Sequence, residues 1–213
     1  YLIFYLRGLL SGLDGIGEVS LPFGKERNGF VMAEGSYVVI LEELQHAIDR
    51  DAHIYAEIKG FGNTFVGSKD YSREEKTRRA ANAMIHALED AGIKKENIDL
   101  ISANANGSKE QDMVEAVALQ SLFSGNNHIP ISAIKSTIGE SYGAAGAAQL
   151  ISTVMSINAG QIPPVINHKQ RDPEISLNLI LEKPLKKETQ NAIINTMDYE
   201  GNNACLMVSR FQQ

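Results

Sequence analysis

Residues 131–160, ISAIKSTIGESYGAAGAAQLISTVMSINAG, decide how the chain is built. A β-prone run, residues 129–133, leads through Lys135, Ser136 and Thr137 into a tight turn at Gly139. From about Ser141 the composition predicts a helix whose first turns are Gly143, Ala144, Ala145, Gly146, Ala147 and Ala148. Leu150, Ile151, Val154, Met155 and Ile157 make its later turns apolar, and Gly160 stands where a C′ glycine ends a helix. A helix so small and so uncharged is expected to be buried at the centre of the fold, with neighbours approaching closely. Glu140 stands at its N-terminal mouth, where the helix dipole favours an anion. Its simplest role is to cap that helix.

Working outward, residues 98–103 read as a strand, residues 104–110 as a polar loop, and residues 112–123 as a helix with Val114, Val117, Ala118 and Leu122 inward. Ser72 and Glu75 form an S-x-x-E capping box. After it, Ala80, Met84, Ala87, Leu88 and Ala91 share a helical face that Gly92 ends. Further upstream, residues 1–11 read as a partly buried helix and residues 37–41 as a β run. A short helix at 42–50 and a strand at 53–61, ended by Gly60 and Gly62, precede a loop at 63–71. Downstream, β runs at 192–196 and 204–209 flank Asp198-Tyr199-Glu200-Gly201-Asn202-Asn203 and are expected to pair antiparallel. Alternating strands and helices make the fold class α/β, in layers.

Composition narrows the function. With 43% hydrophobic and 22% charged residues, the 213-residue chain reads as an ordinary globular protein. No run is apolar for long enough to span a membrane, and a net charge of −6 argues against nucleic acid as the main partner. A lone cysteine, Cys205, leaves no internal disulfide framework and suggests a reducing, cytoplasmic setting. The chain begins at Tyr1 inside an apolar run, which suggests a piece of a longer protein whose N-terminal segment is a separate, tightly packed fragment.

Three loops, 104–110, 135–140 and 198–203, each follow a strand and carry polar residues. Their order and spacing resemble the second half of the β-ketoacyl synthases. PFGKERNGFVMAEG at 22–35 is similar to that family's P-F-D-x-x-R-D-G-F-V-x-G-E-G. Residues 101–104, with Asp112 and Glu115 downstream, match I-N-A-H-G-T-S-T…D…E. Residues 135–146 match K-S-x-x-G-H-x-x-G-A-A-G, Pro163-Pro164 with Asn167 matches P-P-T-x-N, and residues 195–203 match N-S-F-G-F-G-G-T-N. The resemblance covers about residues 21–211 and implies a thiolase-like layered α/β/α/β/α fold. Residues 1–62 would then end the N-terminal core half and residues 63–213 form the C-terminal one.

The resemblance also implies a chemistry, and the sequence departs from it. Members of the family condense an acyl thioester with a malonyl thioester using one cysteine and two histidines, and the cysteine lies upstream of this chain. The histidine positions are Asn104 and Glu140, while Lys135 is retained. Asn104 can donate a hydrogen bond but cannot exchange a proton near neutral pH. Ionised, Glu140 would repel both the malonyl carboxylate and the enolate: roughly 4 kcal/mol for a like charge about 4 Å away at an effective dielectric near 20, about a thousandfold in rate. No residue of this chain is therefore expected to be catalytic.

Asn106 and Ser108 replace pantetheine-contacting residues, and Tyr199 stands between two acids; these three are candidate substrate contacts. A preserved frame around a dismantled site resembles the chain-length factor of type II polyketide synthases. Its expected partners are an active ketosynthase and an acyl carrier protein that carries the phosphopantetheine, with no cofactor bound to this chain. The alternatives are a degenerate ketosynthase that condenses or decarboxylates once complete, and a binding protein outside polyketide synthesis.

Other residues read more simply. Cys205 is expected to be a buried structural thiol. His46, His53, His86, His128 and His168 are read as lacking i,i+4 pairing or an adjacent carboxylate pattern, hence as surface or incidental residues forming no metal site. Met84, Met113 and Met155 fit helix cores. Arg73, Lys76, Arg78 and Arg79 read as a solvated face, with docking of an acidic carrier as the sharper alternative. Asp112 and Glu115, at i,i+3 near a helix start, are expected to satisfy backbone amides.

Overall fold

The structure, a computed structural model, describes residues 1–15, 17–65, 67, 71–125 and 128–212. In chain order the elements are α1 (Leu2–Leu6), α2 (Leu44–Asp49), β1 (Glu57–Phe65), α3 (Arg73–Ala91), β2 (Leu100–Ser102), α4 (Lys109–Leu122) and β3 (Ile131–Ser132). They continue with α5 (Lys135–Ile138), α6 (Ala145–Ala159), β4 (Gln161–Ile162), β5 (Leu185–Lys186), β6 (Asn191–Met197) and β7 (Asn202–Ser209).

Five strands form one sheet in the order β1-β7-β6-β2-β3. β7 runs antiparallel to both β1 and β6, whereas β2 lies parallel to β6 and β3. Alternation along the strands divides the core in two. Ile101, Ile193, Cys205 and Met207 pack with the apolar faces of α3 and α4. Leu100, Ala192, Ile194 and Val208 pack on the opposite face with Leu150 and Ile157 of α6. Burial on both faces explains why Ala192-Ile193-Ile194 is a continuous apolar run rather than an alternating one. The result is an α/β/α sandwich of the thiolase-like layered type.

The contact between α3 and β1 depends on the absence of two side chains. A Cβ on Gly62 would lie 2.1 Å from the Ala83 carbonyl oxygen, and one on Gly60 would lie 2.5 Å from that of Ala87. These glycines therefore sit inside β1 rather than ending it. Strand β1 also crosses residue 62, the boundary expected between the two core halves, and joins the later sheet through β7. Helix α3 starts and stops as expected: Ser72 accepts from the Glu75 N–H at 3.3 Å, and Gly92 takes the left-handed conformation. Only half of the capping box forms, because the Glu75 carboxylate turns instead to Arg78 and Arg79.

Several expectations are corrected. Residues 37–41 form no strand and are exposed, Val38 at 84% and Ile40 at 86%. A β-prone run becomes a strand only against a neighbour, and no described residue pairs with it in a strand ladder. The N-terminal helix is five residues long and buries none of them. Helix α4 starts at Lys109 behind the Ser108 cap, and Val117 faces outward. Helix α6 starts at Ala145, after a 3-10 turn at Tyr142–Ala144, and Gly160 ends it as expected. It buries one face on the sheet, not its whole circumference, which leaves Met155 56% exposed. The loop expected at 63–71 is shortened by β1, and residues 66 and 68–70 lie outside the described ones. No helix among the described residues is long and apolar enough to cross a membrane.

Candidate functional site

The loops after β2, β3 and β6 meet at one end of the sheet. The first, between β2 and α4, is held by two carboxylates of α4. Glu115 accepts from the amides of Asn104 and Ala105 at 2.7 and 2.8 Å and from Asn195 Nδ2 at 2.6 Å. Asp112 accepts from the amides of Asn106, Gly107 and Phe23 at 3.1, 3.1 and 2.8 Å. They do satisfy backbone amides, as expected, but those of the loop and of residue 23 rather than their own helix start. Full burial outweighs these donors: desolvation pushes Asp112 up to about 6 and Glu115 up to about 7.

The second loop follows β3. Lys135 opens α5, and the chain reverses at Gly139, whose φ of 74° belongs to the left-handed region. A Cβ there would stand 2.9 Å from the Val31 carbonyl oxygen, so the position has neither the backbone nor the room for a side chain. The reversal aligns Glu140 with residues 31–33, its N–H donating to Val31 O at 2.8 Å and its carbonyl accepting from Ala33 at 2.9 Å. It also turns the Glu140 carboxylate back toward Lys135.

Lys135 and Glu140 are 2% and 4% exposed and form a buried ion pair, Nζ to Oε2 at 2.8 Å. The ammonium also donates to Asn104 Oδ1 at 2.8 Å. Glu140 Oε2 accepts from Asn106 Nδ2 at 2.8 Å, and Oε1 accepts from the Tyr142 N–H at 2.9 Å. Asn106 Nδ2 lies 3.5 Å from the Tyr199 hydroxyl. Four of the residues singled out from sequence, Asn104, Asn106, Lys135 and Glu140, thus make one connected polar network, with Tyr199 at its edge.

The ion pair corrects the electrostatic argument made from sequence. A lone carboxylate would impose the full repulsion derived above, but an ammonium 2.8 Å away cancels most of that field at any distance larger than the pair itself. What remains is the loss of a donor at one of the two positions: Glu140 offers acceptors only, whereas Asn104 gives its carbonyl oxygen to Lys135 and keeps its amide N–H donors.

Sequence reasoning missed the aromatic wall beside the network. Tyr142 stacks on Phe4 of α1, centroids 4.5 Å apart and 25° between planes. It meets Phe30 edge-on at 5.5 Å and 79°, and Phe30 touches both Phe4 at 5.7 Å and Tyr199 at 5.6 Å. The available signal was a bulky Tyr142 immediately before Gly143-Ala144-Ala145-Gly146. A cleft of about 190 Å³ opens on the other side of Tyr199, lined by Ser108, Gln111, Val114, Met197 and Asn203 among others.

The remaining candidates lie outside the polar network, although Lys76 and Glu110 line the cleft beside Tyr199. The basic cluster is matched by acids, Arg73 and Lys76 pairing with Glu110, and Arg78 and Arg79 with Glu75. Cys205 is buried in β7, and burial raises its thiol pKa. His46 pairs with Glu42 four residues before it, an i,i+4 pattern overlooked in the sequence. His168 is partly buried with its Nε2 enclosed, and burial lowers its pKa. No group of His, Cys, Asp and Glu among the described residues could hold a metal ion.

Comparison with known proteins agrees with the fold. The profile of the β-ketoacyl synthase C-terminal domain matches residues 55–169. The 3-oxoacyl-(acyl-carrier-protein) synthase 2 of Synechocystis is 34% identical over 196 residues, covering 92% of this chain and 47% of that protein. Among solved structures, the ishigamide ketosynthase/chain length factor superposes with a TM-score of 0.90 at 32% identity, over 99% of this chain and 50% of the other. A type II PKS ketosynthase solved with its acyl-carrier protein and bound to the hexaketide gives 0.92 at 28%, over 99% and 52%. The chain spans about half the length of the relatives it matches. Loop order, sheet topology and profile agree: the chain belongs to the β-ketoacyl synthase family, whose C-terminal domain it carries.

Proposed function

We propose that this chain is the C-terminal part of a chain-length-factor-like subunit. It is non-catalytic and pairs with an active ketosynthase while malonyl-derived polyketide chains grow on an acyl carrier protein. The reading is carried by the closed network at the two positions where the family places histidines. Decarboxylation of a malonyl thioester leaves an enolate, and condensation needs preorganised N–H donors aimed at its oxygen. Glu140 presents acceptors only, and its carboxylate and the Asn104 carbonyl oxygen both close on Lys135. The partner ketosynthase supplies the cysteine and the histidines, and this subunit supplies wall and shape. The carrier's phosphopantetheine approaches through the cleft past Ser108 and Tyr199, with Asn106 behind them. The likeness to the ishigamide ketosynthase/chain length factor supports the pairing. The lone, buried Cys205 supports a cytoplasmic setting.

The test is native mass spectrometry of the complex purified from its source, with a malonyl–carrier-protein turnover assay. Co-purification with a cysteine-bearing ketosynthase, and no turnover without it, is the expected outcome. The denatured masses also report whether residues preceding Tyr1 travel on a separate polypeptide. A second reading, a condensing or decarboxylating enzyme once complete, is favoured by one observation: Lys135 neutralises Glu140. Turnover without any other ketosynthase selects it and ends the first reading.

A further inference from the structure

Tyr142 combines backbone strain with tight ring packing. Its φ is +52°, a left-handed conformation that bulky side chains rarely adopt. Its ring lies flat on Phe4 and edge-on to Phe30, and its hydroxyl is enclosed without a hydrogen-bond partner. Left-handed backbone and an enclosed orphan hydroxyl both cost free energy. Neither is required by the turn: the Tyr142 N–H, which binds Glu140 Oε1 at 2.9 Å, belongs to any residue except proline. What the side chain adds is the ring, and the ring fills the space beside Phe4 and Phe30 while the backbone N–H stays on Glu140.

We infer that Tyr142 is a plug: its ring takes the space beside Phe4 and Phe30 that would otherwise admit an acyl chain, and so fixes what the subunit excludes. The three rings Phe4, Phe30 and Tyr199 form an apolar wall of the kind that lines a hydrocarbon pocket, and Tyr142 occupies the volume that wall would otherwise offer. The inference rests on the proposed function only for the identity of the excluded ligand, an acyl thioester.

The test compares the complete protein with its Tyr142→Gly, Tyr142→Leu and Tyr142→Phe variants. Glycine suits a φ of +52° and keeps the N–H to Glu140, so the turn is retained while the ring is removed. The probe is the hexanoyl thioester of N-acetylcysteamine, followed by titration calorimetry. Native protein and Tyr142→Phe are expected to show no saturable binding, because both keep the ring. Tyr142→Gly is expected to bind saturably, and Tyr142→Leu saturably but about tenfold more weakly than Tyr142→Gly. If Tyr142→Gly does not fold, Tyr142→Leu against Tyr142→Phe decides. Equal binding by native and variant proteins overturns the plug, as does no gain from removing the ring in a folded variant. These outcomes are separate from the function reading, because turnover of malonyl–carrier protein by native protein would overturn the non-catalytic assignment whatever the binding series gives.

Discussion

Two groups of buried carboxylates lie close together here, and they are stabilised in different ways. Asp112 and Glu115 are held chiefly by N–H groups of a loop, whereas Glu140 is held by the ammonium of Lys135. Amide donors leave the first two with raised pKa values, because dipoles only partly replace lost hydration. The counter-charge that holds Glu140 makes each partner depend on the other. The frame is thus robust to losing any one donor, and the site is not.

The sharpest way to break that contrast is Lys135→Met. It leaves Glu140 buried with two N–H donors and no cation, and a loss of about 3–5 kcal/mol is expected in denaturant unfolding. The double variant Lys135→Met/Glu140→Leu should recover most of it. A double variant as unstable as the single one would mean that the pair is not what holds the loop.

The frame should reveal itself through pH. Folded Glu115 keeps its proton up to about 7, against 4.5 for the free group. Between those values the folded state binds more protons, so stability should fall as pH rises through the window, by on the order of 3 kcal/mol. Asp112 adds the same sign between 3.8 and about 6. Melting curves from pH 4 to 8 would follow the slope, and Glu115→Gln, neutral throughout, should flatten it. A rising slope would contradict the desolvation account.

Smaller effects are expected away from both clusters. Gly62→Ala forces a methyl onto the Ala83 carbonyl, and about 1–3 kcal/mol should be lost. Ser72→Ala removes the α3 cap for about 1 kcal/mol. If the two changes cost the same in urea titrations, β1 and α3 are less tightly joined than the geometry indicates.

The same contrast separates what could be read in the sequence from what could not. Features set by local chemistry were legible: the cap at Ser72, the helix stops at Gly92 and Gly160, and the strand around Ile101. The loop positions of the site were legible through resemblance. Their pairings were not, because Lys135 and Glu140 meet only through the left-handed turn at Gly139, which no periodicity records. Residues 37–41 failed for the converse reason, since their pattern is strand-like but pairing is not a local property. Met155 looked like core because composition gives the apolarity of a helix and not which face lies against the sheet.

The clamp on the loop after β2 has a kinetic consequence. Amides in loops normally exchange with solvent deuterium as fast as the loop fluctuates. Those of Asn104, Ala105, Asn106 and Gly107 donate to two fully buried carboxylates on a helix that is itself part of the core. Releasing any of them requires α4 to leave the sheet, which is nearly global unfolding. This stretch without secondary structure should therefore exchange as slowly as the central strands, and far more slowly than the ends of α3.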